Sequence, residues 1–460
     1  MLKRRKKSPL CDDPQHWAFH LCRDWVRLTR DMAGLSIKPG AGFGRLVLTV
    51  RPKIFRQLGP ISATREHSKE GIMPIRSGPI LILAFFCTWI SGAALAFETK
   101  AQAAYVLDHE SGTVLLAKQA DVALPPASMS KLMTLFLAFE ALRDGRLRWD
   151  ERLPVSTHAM SYGGSTMFLD TTDRVTVEDL IRGIIVLSGN DACVVIAEAL
   201  SLDGTEAGFA AMMTDRAKDL GMENSVFANS NGWPDINHRM SMKDLAILAQ
   251  RLITEFPEQY TMFSETEFGF DGRAPSNTRN RNPLLTLGIG ADGLKTGHTA
   301  EAGYGLVGSA QQGERRVIFV LTGLQSQQER AEEAERIVTW AFRQFTSKTL
   351  SQPGEALAQA AVWMGSSRNV GLSLDGAPKI LIPVTGGQEI TSKVVYDGPL
   401  QAPIAKGDQV AELVISVPGL PETRLPLVAA QSVTRGGFLP RLRTAALVLL
   451  RKVNGGLSGT

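Results

Sequence analysis

Cysteine is scarce in this chain of 460 residues: there are four, with Cys11, Cys22 and Cys87 ahead of residue 97 and Cys193 alone after it. A disulfide framework after residue 97 is therefore excluded. Cys193 sits in the apolar run Ala192-Cys193-Val194-Val195-Ile196-Ala197, which marks a buried small hydrophobe, because a reactive thiol needs a polar, electropositive setting. Histidine is also sparse. His109, His158, His238 and His298 are scattered through the later part of the chain, too far apart for H-E-x-x-H metal spacing. No metal or other cofactor is expected. Internal repeats and low-complexity segments are absent, and 44% hydrophobic against 21% charged residues fits one large or two medium globular domains. Disordered, collagenous and polytopic membrane classes are excluded.

Basic excess is missing where a nucleic-acid partner would need it. The net charge is +4, but residues 1–96 hold 16 Lys/Arg against 6 Asp/Glu, and the tail from Arg435 carries five cations and no acid. The body between them sits at −11, which argues against nucleic acid.

One long hydrophobic run is present, Pro79 to Phe97, closing on Ala94-Leu95-Ala96 and preceded by Met73-Pro74-Ile75-Arg76. A basic start, an apolar stretch and small residues at the end read as a signal peptide over 73–96, cut after Ala96. Residues 1–72 then read as an extension from a start codon placed too far upstream. Nineteen uncharged residues are also long enough for an uncleaved signal anchor.

After residue 97, Gln102–Leu107 and Thr113–Leu116 predict a β-hairpin around Asp108-His109-Glu110-Ser111-Gly112. Prolines at 125 and 126 and Gly145 bracket a helix whose first turn holds Ser128. Apolar residues at three-and-four spacing predict helices over Val177–Leu187, Ala192–Ser201, Ala207–Leu220 and Met242–Phe256. Strands at Gly293–Thr299, Tyr304–Ala310 and Arg316–Gly323 precede a helix from about Gln328 to Phe345. The expected fold class is α+β, an antiparallel sheet with helices on its faces plus a helical subdomain over 97–350. Short alternating segments at Ala361–Met364, Lys379–Pro383, Ile390–Tyr396 and Val410–Val417 predict a small all-β domain over 351–434.

Ser128-Met129-Ser130-Lys131 sets a hydroxyl and an amine three residues apart, on one face of a helical turn. A serine hydroxyl becomes nucleophilic when a base lies against it, and a lysine can be that base if burial or neighbouring cations keep it neutral. The pattern alone is weak, since S-x-x-K arises by chance and equally describes an ordinary helix start. Ser188-Gly189-Asn190 by itself reads as a turn, and Lys295-Thr296-Gly297 as a solvated strand end. In this order the three form the signature set of penicillin-binding proteins and serine β-lactamases.

The chain resembles the D-alanyl-D-alanine carboxypeptidases of the low-molecular-mass penicillin-binding protein type (peptidase family S11). The resemblance runs through Pro126-Ala127-Ser128-Met129-Ser130-Lys131-Leu132-Met133-Thr134, Ile181-Arg182-Gly183, Ser188-Gly189-Asn190-Asp191-Ala192, Asp292-Gly293-Leu294-Lys295-Thr296-Gly297-His298-Thr299 and Ala302-Gly303-Tyr304. It implies a penicillin-binding protein fold and hydrolysis of the terminal D-alanine from peptidoglycan pentapeptide stems, with β-lactams as acylating inhibitors. It also implies roles: Ser128 as nucleophile, Lys131 as its base, and Ser188 as relay to the leaving group. Asn190 would hold the substrate amide and orient Lys131. Lys295, Thr296 and Gly297 would serve the substrate carboxylate and the local potential, and the backbone N–H groups of His298 and Ser128 the oxyanion. Arg330 matches an arginine used for the carboxylate, against the plainer alternative of a helix-start salt bridge. A glycine-bearing loop, Ser161–Leu169, precedes S-x-N. At Asn229-Ser230-Asn231-Gly232 the chain departs from relatives that carry His-Gly. A class A-like β-lactamase would need S-D-N and an E-x-x-L-N loop, neither of which is present; a D,D-endopeptidase or a catalytically dead binding module would share the same motifs.

The tail over 435–460 places Leu442, Ala446, Leu449, Leu450 and Val453 on one helical face bordered by Arg441, Arg443, Arg451 and Lys452. This pattern predicts an amphipathic helix on the inner-membrane surface, too short to span it; docking on the protein's own β domain is the alternative. The expected location is the periplasm, on the outer face of the inner membrane.

Overall fold

A computed structural model of the chain describes residues 97–384 and 390–437, with the backbone of two short strands, Ile37–Pro39 and Arg45–Thr49. The segment 73–96 read as a signal and the tail from residue 438 lie outside the described residues. Among the described residues no helix is long and apolar enough to cross a membrane. Two compact units are present, one built mainly from Phe97–Lys348.

In that unit the opening hairpin is β1 (Ala103–Asp108) and β2 (Val114–Lys118). The three later strands are β3 (Ala291–Thr299), β4 (Gly303–Gln312) and β5 (Arg315–Leu324). They form one antiparallel sheet in the order β2-β1-β5-β4-β3, so the two ends of the unit meet at the β1–β5 pairing. This is the α+β arrangement expected from the pattern. Alternation along β5 sets its two faces. Val317, Phe319 and Leu321 pack with Ala334, Ile337, Val338 and Ala341 of the long final helix, α6 (Gln327–Gln344). Ile318 and Val320 face the main core with the helical subdomain. Burying a side chain such as Phe319 contributes roughly 1.5–3 kcal/mol.

The helical subdomain contains α1 (Lys131–Arg143), α2 (Val177–Arg182), α3 (Asn190–Leu200), α4 (Glu206–Asp219) and α5 (Met242–Glu255). Hydroxyl side chains cap three of them: Thr176 accepts from Asp179 N–H, Thr205 from Gly208 N–H and Ser241 from Asp244 N–H. Ser128 does not lie in an α-helical turn as expected. It lies in a 3₁₀ turn, Ala127–Ser130, that leads into α1.

The smaller unit is all-β. Within it the strands run in the order Thr391–Asp397, Gln409–Ser416, Thr423–Ala429, Asn369–Leu374, Ala356–Trp363, Leu400–Gln401. Arg45–Thr49 pairs with Thr391–Asp397 and with Ile37–Pro39. The strand Thr423–Ala429 escaped the sequence pattern because Pro426, opposite Glu412 in the ladder, interrupts it. The expected boundary also needs one correction. Lys379–Pro383, read as part of the β domain, pairs with Phe345–Thr349 and clusters with the larger unit.

Candidate active site

The Ser128 turn is wedged between backbones that approach it closely. Ala127 has a left-handed φ of 49°, and Met129 is fully buried. A Cβ on Gly297 of β3 would stand 3.2 Å from Ala127 Cβ and 3.0 Å from both Pro126 O and Met129 Cγ. The glycine of Lys-Thr-Gly thus lets β3 lie against the turn. On another side stands Gly232, with φ 80°, where a methyl would overlap the Ala127 carbonyl.

Lys131 Nζ lies 2.8 Å from Ser128 Oγ and donates to Asn231 O at 2.6 Å. The residue is fully buried, and its pKa is pushed down to about 8, chiefly by burial and further by the Arg281 guanidinium. Lys295 is also buried; its ammonium donates to Thr296 O at 3.1 Å. Burial, and then Lys131, Arg281 and Arg330, hold Lys295 well below the usual lysine range. Ser128, Lys131 and the Lys-Thr-Gly strand, more than 160 residues apart in the chain, are therefore parts of one site.

Ser188 ends a π-helical turn, Gly183–Leu187, with φ 63° and ψ 36°. Its hydroxyl is buried and has no hydrogen-bond partner among the described residues. Such a hydroxyl costs stability unless something else satisfies it. Asn190 begins α3; its backbone N–H donates to Ser165 O at 2.7 Å and its amide to Gly163 O at 2.8 Å. The Asn190 amide thus ties down the Ser161–Leu169 loop, while the Lys131 ammonium is held by the Asn231 carbonyl. Asp191 fixes the same loop, accepting from Met167 N–H and Leu169 N–H.

Thr296 is buried, and Gly297 pairs with Gly305 across the ladder. The exposed His298 ring stacks on Tyr304 with centroids 3.9 Å apart. Arg330 is 3% exposed, donates to Arg281 O at 3.2 Å and lies over the Tyr304 ring. Among the described residues it has no ion-pair partner, so the helix-start salt bridge is ruled out for it; that pairing is made by Glu329 with Lys100 at 3.7 Å. Burial, and after it the Arg281 guanidinium, push the Arg330 pKa down to about 10.

Sequence reading missed Arg281 and Glu206 and saw Asn231 only as a departure. Arg281 donates to Ser165 Oγ, Leu187 O and Asn277 Oδ1 at 2.6 to 3.1 Å, all neutral acceptors. With Lys131, Lys295 and Arg330 it makes a cluster of four cations. Asn231 acts through its backbone carbonyl, which leaves no side-chain signature. Cys193 is buried and free, with its thiol pushed up to about 12 by burial, as a small hydrophobe should be. Among the described residues no group of His, Cys, Asp or Glu could hold a metal.

A hydroxyl against a desolvated amine, under a positive potential, is equipped for acyl transfer from a carboxylate-bearing substrate. Comparison with known proteins agrees. Residues 91–326 match the family described as D-alanyl-D-alanine carboxypeptidase, and residues 345–435 match the penicillin-binding protein 5 C-terminal domain. D-alanyl-D-alanine carboxypeptidase DacC of Escherichia coli K12 is 35% identical over 353 residues, 74% of this chain and 86% of its own. DacF of Bacillus subtilis 168 is 32% identical over 356 residues, 76% and 89%. The solved penicillin binding protein 5 of Haemophilus influenzae has a TM-score of 0.65 at 32% identity, covering 74% of this chain and 99% of that one. The chain belongs to the D-alanyl-D-alanine carboxypeptidase family of low-molecular-mass penicillin-binding proteins, peptidase family S11, and is a serine enzyme of that type.

Proposed function

We propose that this enzyme removes the terminal D-alanine from peptidoglycan pentapeptide stems through an ester on Ser128. Lys131 takes the hydroxyl proton as Ser128 Oγ attacks the penultimate carbonyl, and the oxyanion is met by the backbone N–H groups of Ser128 and His298. As the peptide C–N bond breaks, Ser188 passes a proton to the leaving D-alanine nitrogen. Water then hydrolyses the ester, releasing the tetrapeptide and restoring the hydroxyl. Asn190 holds the substrate amide. Lys295, Thr296 and Arg330 receive the terminal carboxylate, and Gly297 keeps the strand close enough to do so. β-Lactams acylate Ser128 because their strained amide mimics the scissile bond. No cofactor is required.

The observation that carries this reading is the 2.8 Å approach of a buried Lys131 Nζ to Ser128 Oγ. Incubation with pentapeptide muropeptides, with products identified by mass, tests it. Loss of one D-alanine, abolished by Ser128→Ala, is expected; cleavage only of cross-linked dimers would reassign the enzyme as an endopeptidase.

The signal over 73–96 supports export to the periplasm, and the basic amphipathic tail over 435–460 supports attachment to the outer face of the inner membrane. Removal of D-alanine there leaves stems unable to donate in cross-linking, a role in wall maturation and cell shape.

A further inference from the structure

Ser230 and Asn231 are gripped from two sides. Toward α1 their carbonyls accept from Thr134 Oγ1 at 2.5 Å and Lys131 Nζ at 2.6 Å. Toward α4 the Ser230 N–H and hydroxyl donate to Glu206 Oε1 at 2.9 and 2.6 Å, with the Asn231 amide farther off at 3.5 Å. The other oxygen of Glu206 accepts from Tyr162 Oη at 2.8 Å and meets His158 Nε2 at 2.9 Å. One carboxylate, 7% exposed, thereby joins both loops bordering the cleft. Burial opposes its ionisation, yet the hydrogen bonds from Ser230, Tyr162 and His158 outweigh that and hold it below the usual carboxylate range.

We propose that Glu206 is a positioning residue for the base: its buried carboxylate fixes the Ser230–Asn231 backbone so that the Asn231 carbonyl holds Lys131 Nζ against Ser128 Oγ. The inference rests on the reading of Lys131 as the base. Without that anchor the carbonyl swings and the amine loses its aim, although Ser128, Lys131 and Lys295 are unchanged. The charged and titratable groups acting on Lys131 are Cys193 and Asp191 of α3, Glu206 of α4, Arg281 and Lys295. Glu206 is thus also one of the negative charges that favour the protonated amine.

The test is the second-order rate of acylation by a fluorescent penicillin, measured from pH 5 to 10 on the full chain, with thermal midpoints for each variant. Glu206→Gln keeps the shape but puts an amide N–H₂ where donors converge. It should lower the plateau rate of folded protein at least about tenfold, since misplacing a reacting group by about an ångström costs on the order of a hundredfold, and Glu206→Asp should recover part of it. The acid limb should move to lower pH, because a charge favouring protonated Lys131 is gone. A folded Glu206→Gln protein whose plateau stays within about twofold of wild type overturns the proposal, wherever the limb falls. Glu206→Ala carries the geometric loss further, but its folding is not needed for the test. Acylation by Lys131→Ala at the wild-type rate would strike the base assignment itself, and is read separately.

Discussion

Gly232 and Ala127 meet backbone to backbone: with φ 80°, the glycine passes so close that a methyl would overlap the Ala127 carbonyl. The nucleophile turn is therefore seated by a residue 104 positions downstream of Ser128 and not by its own helix alone. Gly232→Ala must either shift the turn or strain the loop, at about 1–3 kcal/mol. The expected result is a lower thermal midpoint together with a fall in penicillin acylation exceeding the unfolded fraction. An acylation rate equal to wild type would show that the turn does not depend on this contact.

With Lys131 held near pKa 8, about a tenth of it is neutral at pH 7. Acylation should rise about tenfold per pH unit on the acid side and level above pH 8. Lys131→Arg keeps the charge but cannot accept the proton, and should reduce acylation about 10²–10⁴-fold at every pH. Stopped-flow or gel-based labelling across the pH range measures both.

Arg281 holds its charge among neutral acceptors and lowers the Lys131 pKa. Removing a neighbouring cation makes protonation easier, so Arg281→Gln should move the acid limb of acylation to higher pH, opposite to Glu206→Gln. A limb that stays in place would remove Arg281 from the electrostatics of the site.

Arg330 is buried and, among the described residues, has no carboxylate partner. An unpaired buried cation costs stability, and a ligand anion offsets that cost. Arg330→Gln should raise KM for a D-alanyl-D-alanine peptide about tenfold or more, consistent with losing a charge-assisted hydrogen bond, while the thermal midpoint stays level or rises. A falling midpoint with unchanged KM would make Arg330 structural.

On the proposal that the tail over 435–460 anchors the protein, truncation after Thr434 should release it from membranes while D-alanine release from a soluble pentapeptide persists. Retention of the truncated protein in the membrane pellet would count against the tail as anchor.

The five-stranded sheet was readable because its strands are short runs separated by turns, three of them by glycine-containing ones, and its helices carry three-and-four spacing, both local properties of the chain. Among the strands of the smaller unit that were not read are Asn369–Leu374 and Thr423–Ala429; Pro426 and the glycine at 371 weaken the local pattern, and only cross-strand pairing makes them strands. Lys379–Pro383 reads locally as a β segment, yet no local property says which unit it joins.

By itself the sequence determined the reactive groups: a hydroxyl and an amine three residues apart, a second serine–asparagine pair, and a lysine strand in the order of one enzyme family. Those are chemical identities and spacings, carried by side chains written in the chain. The fold alone decided what makes them reactive. The desolvation of Lys131, the Asn231 carbonyl that aims it, the cluster of basic side chains around it and the Glu206 anchor depend on backbone atoms and distances created when segments a hundred residues apart are packed together, and no single segment encodes a distance to another.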